Sequence, residues 1–184
     1  MATIFIFHGT GGYPKENWFP WLKENLENAG CNVIVPQFPT PEKQTLENWL
    51  RILKKYQKDI SEDTIFVGHS LGGAFLRRVL EQSSITVKAA FTVAAPIGML
   101  PIKNYESDKP FIEHPFDWSK IRAHCKGFYV FHSDNDPYVS LDNGKELARM
   151  RDVDLIFMPQ CGHFNTAAGF DKFDALLEKI KAVL

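Results

Sequence analysis

Six short apolar runs, rich in β-branched and aromatic residues, recur along the chain at Thr3–Phe7 and at 31–35, 64–67, 87–95, 128–132 and 154–158. None alternates with polar residues. Unbroken runs of this length predict strands buried on both faces, and therefore a parallel sheet. Between the runs the apolar period changes to that of a helix. Trp18, Trp21, Leu22 and Leu26 form one stripe, with Pro20 in its first turn and Gly30 just past its end. Leu46, Trp49, Leu50 and Leu53 form a second, and Leu71, Phe75, Val79 and Leu80 a third. Ser140 stands where it can cap a helix carrying Leu147 and Met150. Phe170, Phe173, Leu177, Ile180 and Leu184 mark a C-terminal helix. Strand–helix alternation of this kind predicts an α/β fold: a doubly wound, mostly parallel sheet of about six strands flanked by helices, in one domain over residues 1–184.

One segment breaks the alternation. Residues 97–126 hold Pro101, Pro110 and Pro115 among Phe111, Phe116 and Trp118, and only Asp117 offers a cap for a short helix. A long irregular stretch inside a compact domain suggests a lid, with its aromatics narrowing the mouth of a pocket.

The chain has 184 residues, 45% hydrophobic and 23% charged, with a formal net charge of −1. This is the balance of a folded globular protein, without the basic footprint of a nucleic-acid binder. No apolar run approaches the ~18 residues of a membrane span, and the start lacks the basic region of a secretory signal. Cys31, Cys125 and Cys161 are an odd number at wide spacing, fitting neither a disulfide framework nor a zinc site. A cytoplasmic setting with no membrane partner and no metal or other cofactor is expected. A protein partner is not indicated.

The chemistry concentrates at the ends of the apolar runs. Gly68-His69-Ser70-Leu71-Gly72 is a G-x-S-x-G sequence between a buried run and a helical stripe. Such a turn exposes the Ser70 hydroxyl beside a helix N-terminus, where negative charge is stabilised. A serine hydroxyl needs a base, and the order Ser…Asp…His puts acid and base on later strand ends. His163, in Gly162-His163-Phe164-Asn165, is the candidate base. The loop after 128–132 holds both Asp134 and Asp136, with Asp136 the candidate acid. The other histidines compete. His69 should point away from the substrate, His132 adjoins the acid loop, His8 lies in the first turn, and His114 and His124 lie in the irregular segment. Acyl transfer needs two N–H donors for the oxyanion, expected from Leu71 and, in His8-Gly9-Thr10-Gly11-Gly12, from Thr10. That glycine loop matches no nucleotide-binding pattern. Cys161, two residues before His163, reads as a small apolar residue, with a reactive thiol near the site as the alternative.

Together, Trp18-Phe19-Pro20-Trp21-Leu22, Gly68-His69-Ser70-Leu71-Gly72-Gly73, Asp117-Trp118-Ser119-Lys120-Ile121, Ser133-Asp134-Asn135-Asp136-Pro137-Tyr138-Val139 and Gly162-His163-Phe164-Asn165 resemble the serine hydrolases of the retinoblastoma-binding-protein-nine and YdeN-like type. The resemblance implies a compact α/β-hydrolase fold and a triad of Ser70, Asp136 and His163. Its motif register selects Asp136 over Asp134. Val139 stands three positions after Asp136, the offset at which an apolar residue anchors the acid loop in hydrolases. The expected activity is cleavage of small carboxylic esters through an acyl-enzyme. An amidase or peptidase with the same triad, or a hydrolase scaffold kept for protein binding, are the alternatives.

Overall fold

The computed structural model describes residues 1–184. Its centre is one sheet of six strands, all parallel: β1 (Thr3–Phe7), β2 (Asn32–Ile34), β3 (Ile65–His69), β4 (Val87–Val93), β5 (Cys125–His132) and β6 (Leu155–Phe157), in the order β2-β1-β3-β4-β5-β6. All six expected runs become strands, shifted by a few residues at their ends.

The period of two divides the strands between two cores. Phe5, Phe7 and Phe66 face one side, and Ile4, Ile6, Ile65 and Val67 the other. On the first side lie α2 (Leu46–Lys54), α3 (Leu71–Gln82), α4 (Tyr105–Ile112), α5 (Trp118–Ala123) and α6 (Leu141–Arg151), contributing Trp49, Phe75, Phe111, Ile121 and Leu147. On the second lie α1 (Phe19–Asn28) and α7 (Asp174–Lys181), contributing Phe19, Leu22, Leu26, Leu177 and Ile180. β1 and β3 are buried along their whole length, which is why their sequences do not alternate, whereas the edge strands β2 and β6 are only partly covered and Phe157 is exposed.

Helix ends follow local chemistry. Pro20 falls in the first turn of α1, and Gly30 follows its end at φ +84°. Thr45 accepts the Asn48 amide of α2, and Asp117 accepts the Lys120 amide of α5. Ser140 does precede α6, but its hydroxyl binds no first-turn amide and instead accepts the Asn143 side-chain amide. The C-terminal helix starts at Asp174. Phe170 and Phe173 precede it and pack with Phe164, ring centroids 5.1–5.3 Å apart.

The irregular segment contains a helix that its composition conceals. α4 runs through Pro110, which removes one backbone N–H from the helix interior. The expectation that the aromatics narrow a pocket is overturned. Phe111 is fully buried against Trp49 and Phe75, and Phe116 lies under the guanidinium groups of Arg77 and Arg78. Trp118 packs on the same core. Apolar burial draws all three inward.

Candidate active site

Because the strands are parallel, the loops after β1, β3, β5 and β6 meet at one rim. Ser70 stands between β3 and α3 with φ +54° and ψ −125°, a conformation that costs a non-glycine residue of order 1–3 kcal/mol. Its amide donates to the Val93 carbonyl at 2.9 Å, and its carbonyl accepts the Gly73 amide at 2.9 Å. Close packing holds the turn. A Cβ on Gly68 would lie 2.5 Å from the Gly72 carbonyl, and one on Gly72 would run into the Phe7 carbonyl of β1. A Cβ on Gly9 would lie 2.8 Å from Ser70 Cβ and 3.2 Å from its Oγ. These glycines bring the β1 loop and the hydroxyl together. The Leu71 amide opens α3, among the first-turn N–H groups that have no intrahelical acceptor.

The β5 and β6 loops supply the second half. His163 Nδ1 donates to Asp136 Oδ2 at 2.7 Å. Asp136 Oδ1 accepts the Tyr138 and Val139 amides at 2.8 and 3.1 Å, so the buried carboxylate is fixed at both oxygens. Nε2 of His163 is left without a hydrogen-bond partner, and His163 lines the same cleft as Ser70. The β5 loop holds the β6 loop by side chains. Ser133 Oγ accepts the Cys161 amide at 2.9 Å, and Asn135 Oδ1 the Gly162 amide at 2.7 Å. Asp134 Oδ1 accepts the Gln160 amide at 2.8 Å. Asp134 therefore sits apart from His163.

The competing histidines have structural places. His69 is buried beside Trp18 and Phe19, donates from Nε2 to the His163 carbonyl at 2.8 Å, and is pushed down to about 3 by burial. His8 accepts the Phe38 amide at Nε2, and burial lowers it to about 4. His132 is buried with Nε2 on the Val139 carbonyl and is also lowered by burial. His114 and His124 lie away from the cleft; His124 Nδ1 bonds the Leu80 carbonyl. Burial and the nearby Asp134 charge raise the Cys161 thiol, which disfavours its thiolate. No three His, Cys, Asp or Glu side chains are arranged to hold a metal ion, and no helix is long and apolar enough to cross a membrane.

Residues 4–182 match the family described as Serine hydrolase. The chain belongs to the serine hydrolase family. YdeN of Bacillus subtilis is 30% identical over 167 residues, covering 91% of this chain and 88% of YdeN. Serine hydrolase RBBP9 of Rattus norvegicus is 27% identical over 184 residues, covering 100% and 95%. The crystal structure of the B. subtilis YdeN gene product superposes with a TM-score of 0.93 at 28% identity, covering 100% of this chain and 98% of that one. Est1E of Butyrivibrio proteoclasticus, solved with ferulic acid bound, shares the fold at a TM-score of 0.70 and 15% identity, covering 98% and 90%.

In this serine hydrolase the cleft at Ser70 is small, about 180 Å³, and polar. Besides Ser70 and His163 it is lined by Gly9, Thr10, Glu16, Asn17, His69, Asn104, Tyr138 and Asn165. Residues 97–126 contribute Asn104 rather than an aromatic wall. They also contribute a support that no sequence pattern announced. Buried Asp108 accepts the Thr10 hydroxyl at 2.5 Å and the Gln44 side-chain amide at 3.2 Å, while burial raises its carboxyl. Thr40 Oγ accepts the Gly11 amide at 2.7 Å and donates to Gln44 at 2.5 Å. The β1 loop is thus fixed by side chains from α4 and the loop before α2.

Proposed function

We propose that the chain hydrolyses small carboxylic esters, with Ser70 as nucleophile, His163 as general base and acid, and Asp136 as the carboxylate that orients it. The observation that carries this reading is the 2.7 Å contact from His163 Nδ1 to a buried Asp136, in a cleft shared with Ser70 on its strained turn. Nε2 of His163 takes the Ser70 proton as Oγ attacks the carbonyl carbon. The Leu71 and Thr10 N–H groups receive the oxyanion, and the Asp136 carboxylate stabilises the imidazolium. The imidazolium returns the proton to the leaving alcohol as its C–O bond breaks. Water, deprotonated by His163, then attacks the acyl-Ser70, and the acid leaves as Ser70 regains its proton. A cleft of about 180 Å³ favours short acyl groups over long chains. On this reading residues 1–184 act as one unit, and the substrate is a small molecule.

The test is Ser70→Ala, assayed with p-nitrophenyl acetate and with a fluorophosphonate probe. Turnover should fall by several orders of magnitude and labelling should vanish, while the circular dichroism spectrum is kept. Wild-type turnover by the variant, or a folded wild-type protein that takes no probe, overturns the assignment. The second result would favour a binding role for the scaffold.

A further inference from the structure

We infer that Glu16 makes the cleft selective for esters carrying a protonated amine close to the scissile carbonyl. The inference rests on the reading of Ser70 as nucleophile and names the substrate class for that same site.

Glu16 lines the cleft together with Ser70 and His163. Its position relative to the hydroxyl follows through the glycine loop. Glu16 Oε1 occupies the space that a Cβ on Gly12 would need. The Gly12 amide donates to the Gly9 carbonyl at 3.1 Å, and Gly9 abuts Ser70 Oγ. Carboxyl, turn and nucleophile form one continuous wall. The residue precedes α1, yet it is not a cap: its carbonyl accepts the Phe19 amide, while its carboxylate binds no amide of that helix. It takes part in no ion pair.

The surroundings leave its charge uncompensated. Asn17, Asn104, Asn165 and Tyr138 bring no cation, and His69, pushed down to about 3 by burial, brings none either. Asp136 lies behind His163 and is matched to it. Lys15, the preceding residue, is exposed and forms no ion pair, and Lys103 is exposed and rests its ammonium on the Tyr138 ring, 4.4 Å from the centroid. Burial raises the Glu16 carboxyl to about 7, with the Tyr13 amide offsetting part of the shift. The fold thus keeps a half-buried acid in the cleft of Ser70 with one backbone amide beside it and no cation. A substrate ammonium supplies that cation. A neutral isostere strips more water from the carboxylate and returns nothing. Both effects favour aminoacyl or aminoalkyl esters.

The experiment compares matched esters at pH 7.5. On the acyl side, the p-nitrophenyl ester of 3-aminopropionate is paired with p-nitrophenyl butyrate. On the alcohol side, 2-(dimethylamino)ethyl acetate is paired with 3-methylbutyl acetate. The readout is the cation-to-neutral ratio of kcat/KM, compared between wild type and Glu16→Gln so that intrinsic reactivity cancels. The ratio should fall about tenfold in at least one pair, the scale of one charge-assisted contact. An unchanged ratio in both pairs, with turnover still dependent on Ser70, overturns the inference and leaves the nucleophile standing. Turnover that survives Ser70→Ala overturns both. If Glu16→Gln does not fold, inhibition of wild-type p-nitrophenyl acetate hydrolysis decides. Butylammonium should inhibit at about tenfold lower concentration than pentanol, and equal inhibition overturns the inference.

Discussion

On one side of Ser70 the backbone is held by lack of room: Gly9, Gly68 and Gly72 sit so close to neighbouring atoms that a methyl group cannot be added without displacing them. On the other side, residues 97–126 are held by polar side chains reaching in from other elements. Arg78 Nε donates to the Phe111 carbonyl at 2.9 Å, and its Nη2 to the His114 carbonyl at 2.5 Å. Glu81 accepts the Asp117 amide, Asn143 accepts the Ile97 and Met99 amides, and Asp108 meets Thr10. Steric fixation demands particular residues at particular spacings and so leaves a motif. Tethering demands only that a donor and an acceptor meet, and many sequences meet that demand.

Variants can break this contrast, beginning with the largest effect. Asp136→Asn should keep the fold and slow acyl-enzyme formation by up to ~10⁴, because an amide favours the wrong His163 tautomer. Stopped-flow release of p-nitrophenol measures it, and a loss below tenfold would place the acid elsewhere. Next is His8, buried and neutral on the tightly packed side. Its value of about 4 lies below the ordinary 6.5, so the unfolded chain takes up the proton first and stability is lost as pH falls from ~6.5 towards 4. At pH 5 that loss is about 2 kcal/mol. Urea titrations of wild type and His8→Asn should therefore converge by about that amount between pH 7 and 5; parallel curves would contradict the neutral ring.

The tethered side should respond more mildly. Asp108→Ala frees the Thr10 hydroxyl, and kcat should drop about tenfold with little change in KM, because the oxyanion loop is loosened rather than the ground-state site. Asp108→Asn keeps an acceptor and should recover most of the rate. A purely structural role would lower the melting temperature of both variants without that split. The smallest effect belongs to Asp134→Asn, expected to cost less than about threefold in rate. It weakens an exposed acceptor for Gln160 and leaves the His163–Asp136 contact in place.

The same contrast explains what could be read from residues alone. Strands and most helices were legible because burial on both faces writes an unbroken apolar run and helices write a stripe. The Ser70 turn was legible because its glycines are obligatory. Of the segment 97–126 only the Asp117 cap of α5 was legible. Pro110 hid α4, and aromatic residues give no sign of which way they face, so those expected at the cleft mouth lie in the core. Asp108 and Gln44 carry no periodic signature, and 64 residues separate them. Nothing in the sequence distinguishes the partner of Asp134, which lies 26 residues away at Gln160.

The contacts that close the cleft span much of the chain: Thr10 to Asp108 across 98 residues, His69 to His163 across 94, and Trp18 to Phe164 across 146. Bringing such distant points together carries most of the ordering entropy, and these joints close only when nearly all the sheet is in place. On the proposed mechanism, a newly made chain therefore carries its serine long before His163 is in place to draw off the proton. On that reading half-finished copies stay chemically silent towards esters, and hydrolysis should appear during refolding only once the topology is complete.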